Sequence, residues 1–176
     1  PIIFELPAET STTGLALAIA AGRQSGDLMY GGCRVWLSLD GLTYREEGII
    51  YGSSRYGTLA ADLAAHAAGI DTTNTMSVLL RSGGQLLSGS TDDLTKGTTQ
   101  IIVGDEYLSY QTATLIGTDA YNLTTLKRGL YNTAPVAHAA GTPWVRVDAG
   151  VANLVDIDAS MIGQTVYIKL TSFNVY

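Results

Sequence analysis

The chain is poor in the residues from which most catalytic and metal centres are assembled. Its 176 residues include one cysteine, Cys33, and two histidines, His66 and His138. A single thiol excludes an internal disulfide and every zinc site built on cysteine pairs. Charged residues make up 15% of the chain, against about 25% in an average globular protein, and 46% is hydrophobic, which excludes wholesale disorder. A formal charge of −6 argues against a sequence-independent grip on nucleic acid phosphates. It also argues against anchoring to anionic lipid through a basic patch. No apolar run approaches the roughly 18 residues of a membrane span. The opening stretch PIIFELPAETS lacks a basic segment followed by an apolar run, so it does not read as a secretory signal. Starting at Pro1, without methionine, it reads as a piece of a longer polypeptide.

Glycine is plentiful, with 20 residues, and threonine is frequent throughout. Both suit many short strands joined by tight turns. The clearest segment runs from Cys33 to Leu39. Cys33, Val35, Leu37 and Leu39 share one face, and Arg34, Trp36 and Ser38 share the other, which is the period of a half-buried strand. Asp40-Gly41 supplies turn residues, and Leu42 to Tyr51 forms the returning strand. The same logic predicts strands over 2–6, 15–19, 76–80, 85–88, 100–103, 107–115, 121–126, 144–147 and 166–175. Ala60 to Ala68 is made of strong helix formers, yet Tyr56, Thr58 and Ala60 alternate with Gly57, Leu59 and Ala61. The expectation is a strand through about Leu63 and a loop beyond it. Short helical turns are expected at Asp92-Asp93-Leu94 and around Pro135 to Ala139, and no long helix.

Turn signals every 8–12 residues or so indicate an all-β fold. Polar breaks at Ser88 to Asp93 and at Asp148-Ala149-Gly150 divide it. The expected architecture is an antiparallel β-sandwich (1–88), a small inserted or appended β-barrel-like module (89–149), and one or more strands (150–176) returning to the sandwich.

Chemistry is sparse. The G-x-S-x-G elbow is absent, and so are both glycine-rich phosphate loops. His66, with Asp62 four residues earlier, and His138 read as histidines bonded to backbone near turns. Cys33 reads as a buried thiol. Of the carboxylate pairs Glu46-Glu47, Asp92-Asp93, Asp105-Glu106 and Asp156 with Asp158, the last would share one strand face and suit an oxygen-liganded cation. The full D-x-D-x-D-G pattern is missing, and a solvated acidic loop is the expectation. No catalytic residue, cofactor or metal site is assigned. The aromatic residues Trp36, Tyr44 and Tyr51, near the first hairpin, are the candidate surface contacts, able to stack on a sugar or anchor a protein.

Three runs taken together resemble a known family. They are Tyr30 to Tyr44 (YGGCRVWLSLDGLTY), Val103 to Gly141 with its L-x-R-G-x-x-x-T and H-x-x-G elements, and Ile162 to Asn174 with I-K-x-T-S-F-N. This pattern resembles the tail-tip hub proteins of long-tailed bacteriophages and the large hub protein of gene transfer agents. The resemblance implies a structural part of a homotrimeric hub at the virion tail tip, meeting other hub domains and distal tail and tip proteins. It implies fold-determining roles for Arg128-Gly129, Thr133 and His138 to Gly141, with Gly129 and Gly141 in backbone conformations barred to other residues, and supplies no catalytic residue. From the residues themselves, the alternative is a glycan-binding module for the host surface, and hydrolysis of cell-wall glycans is the third, least favoured reading.

Overall fold

A computed structural model describes residues 1–10, 15–23, 27–82, 84–154 and 157–176. In chain order the strands are β1 (Ile2–Glu5), β2 (Leu17–Ala20), β3 (Tyr30–Ser38), β4 (Arg45–Tyr51), β5 (Tyr56–Leu59), β6 (Gly69–Asp71) and β7 (Met76–Leu80). A single α-helical turn and a half, α1 (Thr91–Lys96), follows. Then come β8 (Gln100–Val103), β9 (Glu106–Gly117), β10 (Ala120–Leu130), β11 (Pro143–Arg146), β12 (Ala152–Leu154) and β13 (Tyr167–Asn174). The fold is all-β, and every strand pairing among the described residues is antiparallel.

The chain divides into two compact units, Pro1–Ser54 with Ala149–Tyr176, and Arg55–Asp148. The first is a sandwich of two three-stranded sheets, β1-β2-β12 and β13-β3-β4. Their facing residues form one core: Ile19 and Ala21 on one side, Cys33, Val35, Leu37 and Ile50 on the other, with Ile168 and Leu170 packed against them. The alternation of Cys33, Val35 and Leu37 is therefore the inner face of β3, as its period requires. The loop between β3 and β4 turns at Asp40 and Gly41, with Gly41 at φ 72°. Asp40 Oδ1 accepts from the backbone N–H of Leu42 and Thr43 at 2.8 and 2.7 Å and from Ser38 Oγ at 2.8 Å.

The second unit is a closed barrel. The pairing order β10-β7-β5-β11-β8-β9 returns to β10, and β6 pairs with Leu126–Arg128 of β10, beyond the stretch taken by β7. Six strands enclose too little space for a channel, and the interior is solid: Trp144, Leu123, Leu126, Tyr110, Ile101, Leu108, Met76 and Val78 pack as one cluster. Adjacent backbones approach closely at Gly57, where a Cβ would lie 1.8 Å from the Leu79 carbonyl oxygen. Thr125, inside β10, holds φ at 54°, a conformation β-branched residues rarely take. Across it the core positions change from Tyr121 and Leu123 to Leu126, and the next buried side chain is Arg128.

The inserted module thus begins at Arg55, not after residue 88. β5 and β7, expected in the sandwich, are barrel staves, because Gly57–Leu59 pairs with Val78–Leu80 and β7 continues onto β10. Gln85 to Ser88 is not a strand. It runs beside β9 held by the Ser88 side chain, whose Oγ accepts from Ala113 N at 3.0 Å, so no backbone ladder forms. Pro135 to Ala139 is not helical either. His138 and Leu63 exchange backbone hydrogen bonds of 2.8 Å in each direction, an isolated bridge that requires extended chain. The strand from Tyr56 ends at Leu59, short of Leu63, and the alanine-rich run beyond it is loop.

Candidate functional site

The outer face of the β4-β3-β13 sheet carries the aromatic residues expected to make contacts. Trp36 is directed there by alternation from Val35 and Leu37, and pairs across the sheet with Lys169 of β13 and Glu46 of β4. The indole Nε1 donates to Thr171 Oγ1 at 2.8 Å, which fixes the ring. Lys169 Nζ lies 5.3 Å from the centre of the Trp36 ring and 4.2 Å from that of Tyr44, within cation–π range of both. Arg34, one rung away, donates through Nη1 to both Glu46 oxygens at 3.0 and 2.9 Å.

The structure brings Trp36 and Tyr44 together around Lys169 and sets Tyr51 apart. Tyr51 is 75% exposed and meets Phe173 edge to face, centroids 6.3 Å apart. Phe173 lies across Gly32, which holds φ at 146°; a Cβ there would lie 2.1 Å from the Ile50 carbonyl oxygen and 2.8 Å from the Phe173 ring, so the position requires glycine. Sequence reasoning missed Lys169, Thr171 and Phe173 as members of this face. Their only signal was alternation in the last strand, with Ile168 and Leu170 inside.

A second constellation is sealed inside the barrel. Arg128, on β10, donates from Nε to Glu106 Oε1 at 2.6 Å and from Nη2 to Glu106 Oε2 at 2.7 Å. Its remaining donors reach the carbonyls of Ala64 and Val136 at 3.1 and 2.9 Å, and Nη1 lies 3.6 Å from Asp71 Oδ2. His138 Nε2 is 2.7 Å from Glu106 Oε2. Arg128, Glu106 and Asp71 are inaccessible to solvent. Gly129, at φ 68°, occupies an irregularity in the β9–β10 register, and its N–H reaches Glu106 Oε1 at 3.2 Å. Thr133 Oγ1 accepts from Tyr107 N at 3.0 Å and donates to Leu130 O at 2.7 Å. Gly141 takes φ 86°. The residues of the L-x-R-G-x-x-x-T and H-x-x-G runs therefore bind loops to strands. His138, expected on backbone alone, also has a buried carboxylate as its side-chain partner.

Asp71 and Glu106 are the residues the sequence reading did not place in this cluster. Burial pushes Asp71 up, but hydrogen bonds from Asn74 and Thr73 outweigh it and hold the carboxyl at about 2. His66 Nδ1 lies 2.8 Å from the Ala67 carbonyl oxygen, the backbone partner expected of it, and its Nε2 is 3.7 Å from Asp71 Oδ1. Asp62 instead accepts from Ala140 N at 2.7 Å. Deeper in the barrel, the Tyr110 hydroxyl has no hydrogen-bond partner among the described residues, and burial raises its pKa.

The remaining candidates serve their own segments. Cys33 is buried, and desolvation raises its pKa. Glu46 and Glu47 pair with Arg34 and Arg45. Asp93 closes a capping box with Ser90, and Asp92 meets Lys96 one turn on. Hydrogen bonds from Thr43, Leu42 and Ser38 hold Asp40 well below the usual carboxylate range. Asp158 caps a short helical turn through Ser160 N, and Asp156 lies outside the described residues. Among the described residues, no group of three or more His, Cys, Asp or Glu could hold a metal ion. No helix among them is long and apolar enough to cross a membrane.

Comparison with known proteins adds one relationship. No curated protein matches the chain. A family model described as Rcc01698-like, C-terminal, matches residues 54–145, a span that nearly coincides with the barrel unit. Since the match covers more than half of the sequence, the chain belongs to the Rcc01698-like, C-terminal family.

Proposed function

We propose that the chain is a structural module of a tail-tip hub in a phage, prophage or gene-transfer particle, acting as a rigid spacer between hub domains. The observation that carries this reading is the Arg128–Glu106 lock. The Arg128, Glu106, Thr133 and His138 side chains of the signature run that prompted the resemblance are consumed in closing the barrel. A solid barrel with a buried, fully bonded ion pair has one conformation to offer, which is what a part held in symmetric register needs. Purified particles from the source cell test the reading. Antibody against this segment should decorate the distal tail, and cross-linking mass spectrometry should connect it to other hub domains. Particles lacking the segment would refute it.

A second reading rests on a different observation. The Trp36–Tyr44 surface with Lys169 lies on an open sheet face, the arrangement a glycan-binding module uses to stack a pyranose. The two readings are compatible, since a spacer at a tail tip also faces the host surface.

A further inference from the structure

We infer that the outer face of the β4-β3-β13 sheet binds a carboxylated polysaccharide, with Lys169 as its anion contact and Trp36 and Tyr44 as its stacking surface. The inference rests on the glycan-binding reading and names the class of glycan. Charge complementarity carries it. Glu46 is taken by Arg34 and Glu47 by Arg45, whereas Lys169 has no carboxylate partner among the described residues. Two aromatic rings flank its ammonium, and rings attract the charge without accepting its three N–H donors in ordinary hydrogen bonds. A ligand carboxylate would accept them as charge-assisted bonds.

The layout favours an extended sugar chain over a peptide. Trp36 and Gly32, the residue beneath Phe173, are four residues apart on β3, or about 13 Å at the usual rise. Two aromatic stations, Trp36 with Tyr44 and Phe173 with Tyr51, are thus spaced along one strand. Strand β3 is paired on both sides, so a peptide lying over it finds no free backbone edge to extend. Ring faces fixed by Thr171 and seated on Gly32 offer what a sugar uses instead: flat apolar contact with a nearby charge.

The test is isothermal titration of the 176-residue chain with sodium polygalacturonate, neutral dextran and poly-L-glutamate. Polygalacturonate should bind in a salt-sensitive manner and dextran at least tenfold more weakly. Lys169→Met should weaken polygalacturonate binding at least tenfold, and Lys169→Arg, which keeps the charge, should restore most of it. Trp36→Ala should remove binding. Should that variant fold poorly by thermal melting, Tyr44→Ala, in the loop before β4, should give a loss of at least fivefold. Equal binding of dextran and polygalacturonate, indifferent to Lys169→Met, would overturn the charge assignment and leave the glycan reading standing. Poly-L-glutamate binding as well as polygalacturonate would overturn it in favour of an acidic peptide. No binding of any polymer would remove both the inference and the reading beneath it.

Discussion

In the barrel, Trp144 and Arg128 are closed off from water, the indole in the middle of the apolar cluster and the guanidinium among Glu106, Asp71 and two carbonyls. In the sandwich, Trp36 and Arg34 stand on an outer sheet face beside Lys169 and Glu46. The same two residue types thus do opposite work in the two units. Sealed in the barrel they define one packing, because an unpaired charge or an empty ring-sized cavity there is costly. On the sheet they add less to stability, since solvent reaches them. The lesson is that an arginine or tryptophan acquires its role from whether its neighbours leave it any solvent.

This contrast can be broken in several ways. The largest effect should come from the sealed pair: Arg128→Met takes the guanidinium away from two buried carboxylates, Glu106 and Asp71, and should cost about 3–5 kcal/mol in denaturant unfolding. Trp144→Ala should cost a similar amount, about 3–5 kcal/mol, while Trp36→Ala loses chiefly one hydrogen bond and an exposed cation–π contact, about 1–2 kcal/mol. Acrylamide should quench Trp36 fluorescence and spare Trp144. Gly57→Ala drives a methyl into the Leu79 carbonyl and should cost at least about 1–3 kcal/mol, seen as a lower melting temperature of the barrel.

A smaller, pH-dependent effect is expected at Asp71. Its folded pKa of about 2 lies below the unfolded value of about 3.9. Its contribution is therefore complete above about pH 4 and is lost as pH falls through about 2. In urea titrations, Asp71→Asn should be most destabilising near neutrality, and its difference from the parent should shrink toward pH 2. A constant difference across that range would contradict this. The smallest effect belongs to the exposed pair: a double-mutant cycle on Arg34 and Glu46 should give about 0.2–1 kcal/mol, and less in high salt.

Much of the strand inventory was legible because period-two alternation is local. Cys33-Val35-Leu37 and Ile168-Leu170 announce their inner faces without help from the rest of the chain. Barrel closure was not legible, since nothing in Met76 to Leu80 distinguishes a stave from a sandwich strand; its partners Gly57–Leu59 and Ala120–Leu123 decide that. The helix expected around Pro135 failed because the backbone there bridges Leu63, a tertiary contact that overrides local preference. At the aromatic face, Trp36 and Tyr44 could be named from one hairpin. Lys169 could not, since it arrives from β13 at the other end of the sequence. Glu106 read only as one of a pair of adjacent carboxylates with Asp105, and its partner Arg128 lies on another strand.

The sandwich is interrupted between Ser54 and Ala149, and its two broken ends are stitched together where Ser54 Oγ donates to the Gly150 carbonyl and accepts from Ala21 N. Strand β3 must wait for β13, whose pairing joins residues as distant as Tyr30 and Asn174. During synthesis the barrel can close while the sandwich still lacks two of its strands, and a barrel that misfolds leaves its host with a long slack loop to tether. The connectivity therefore allows the barrel to form before the last two strands of the sandwich have been synthesised.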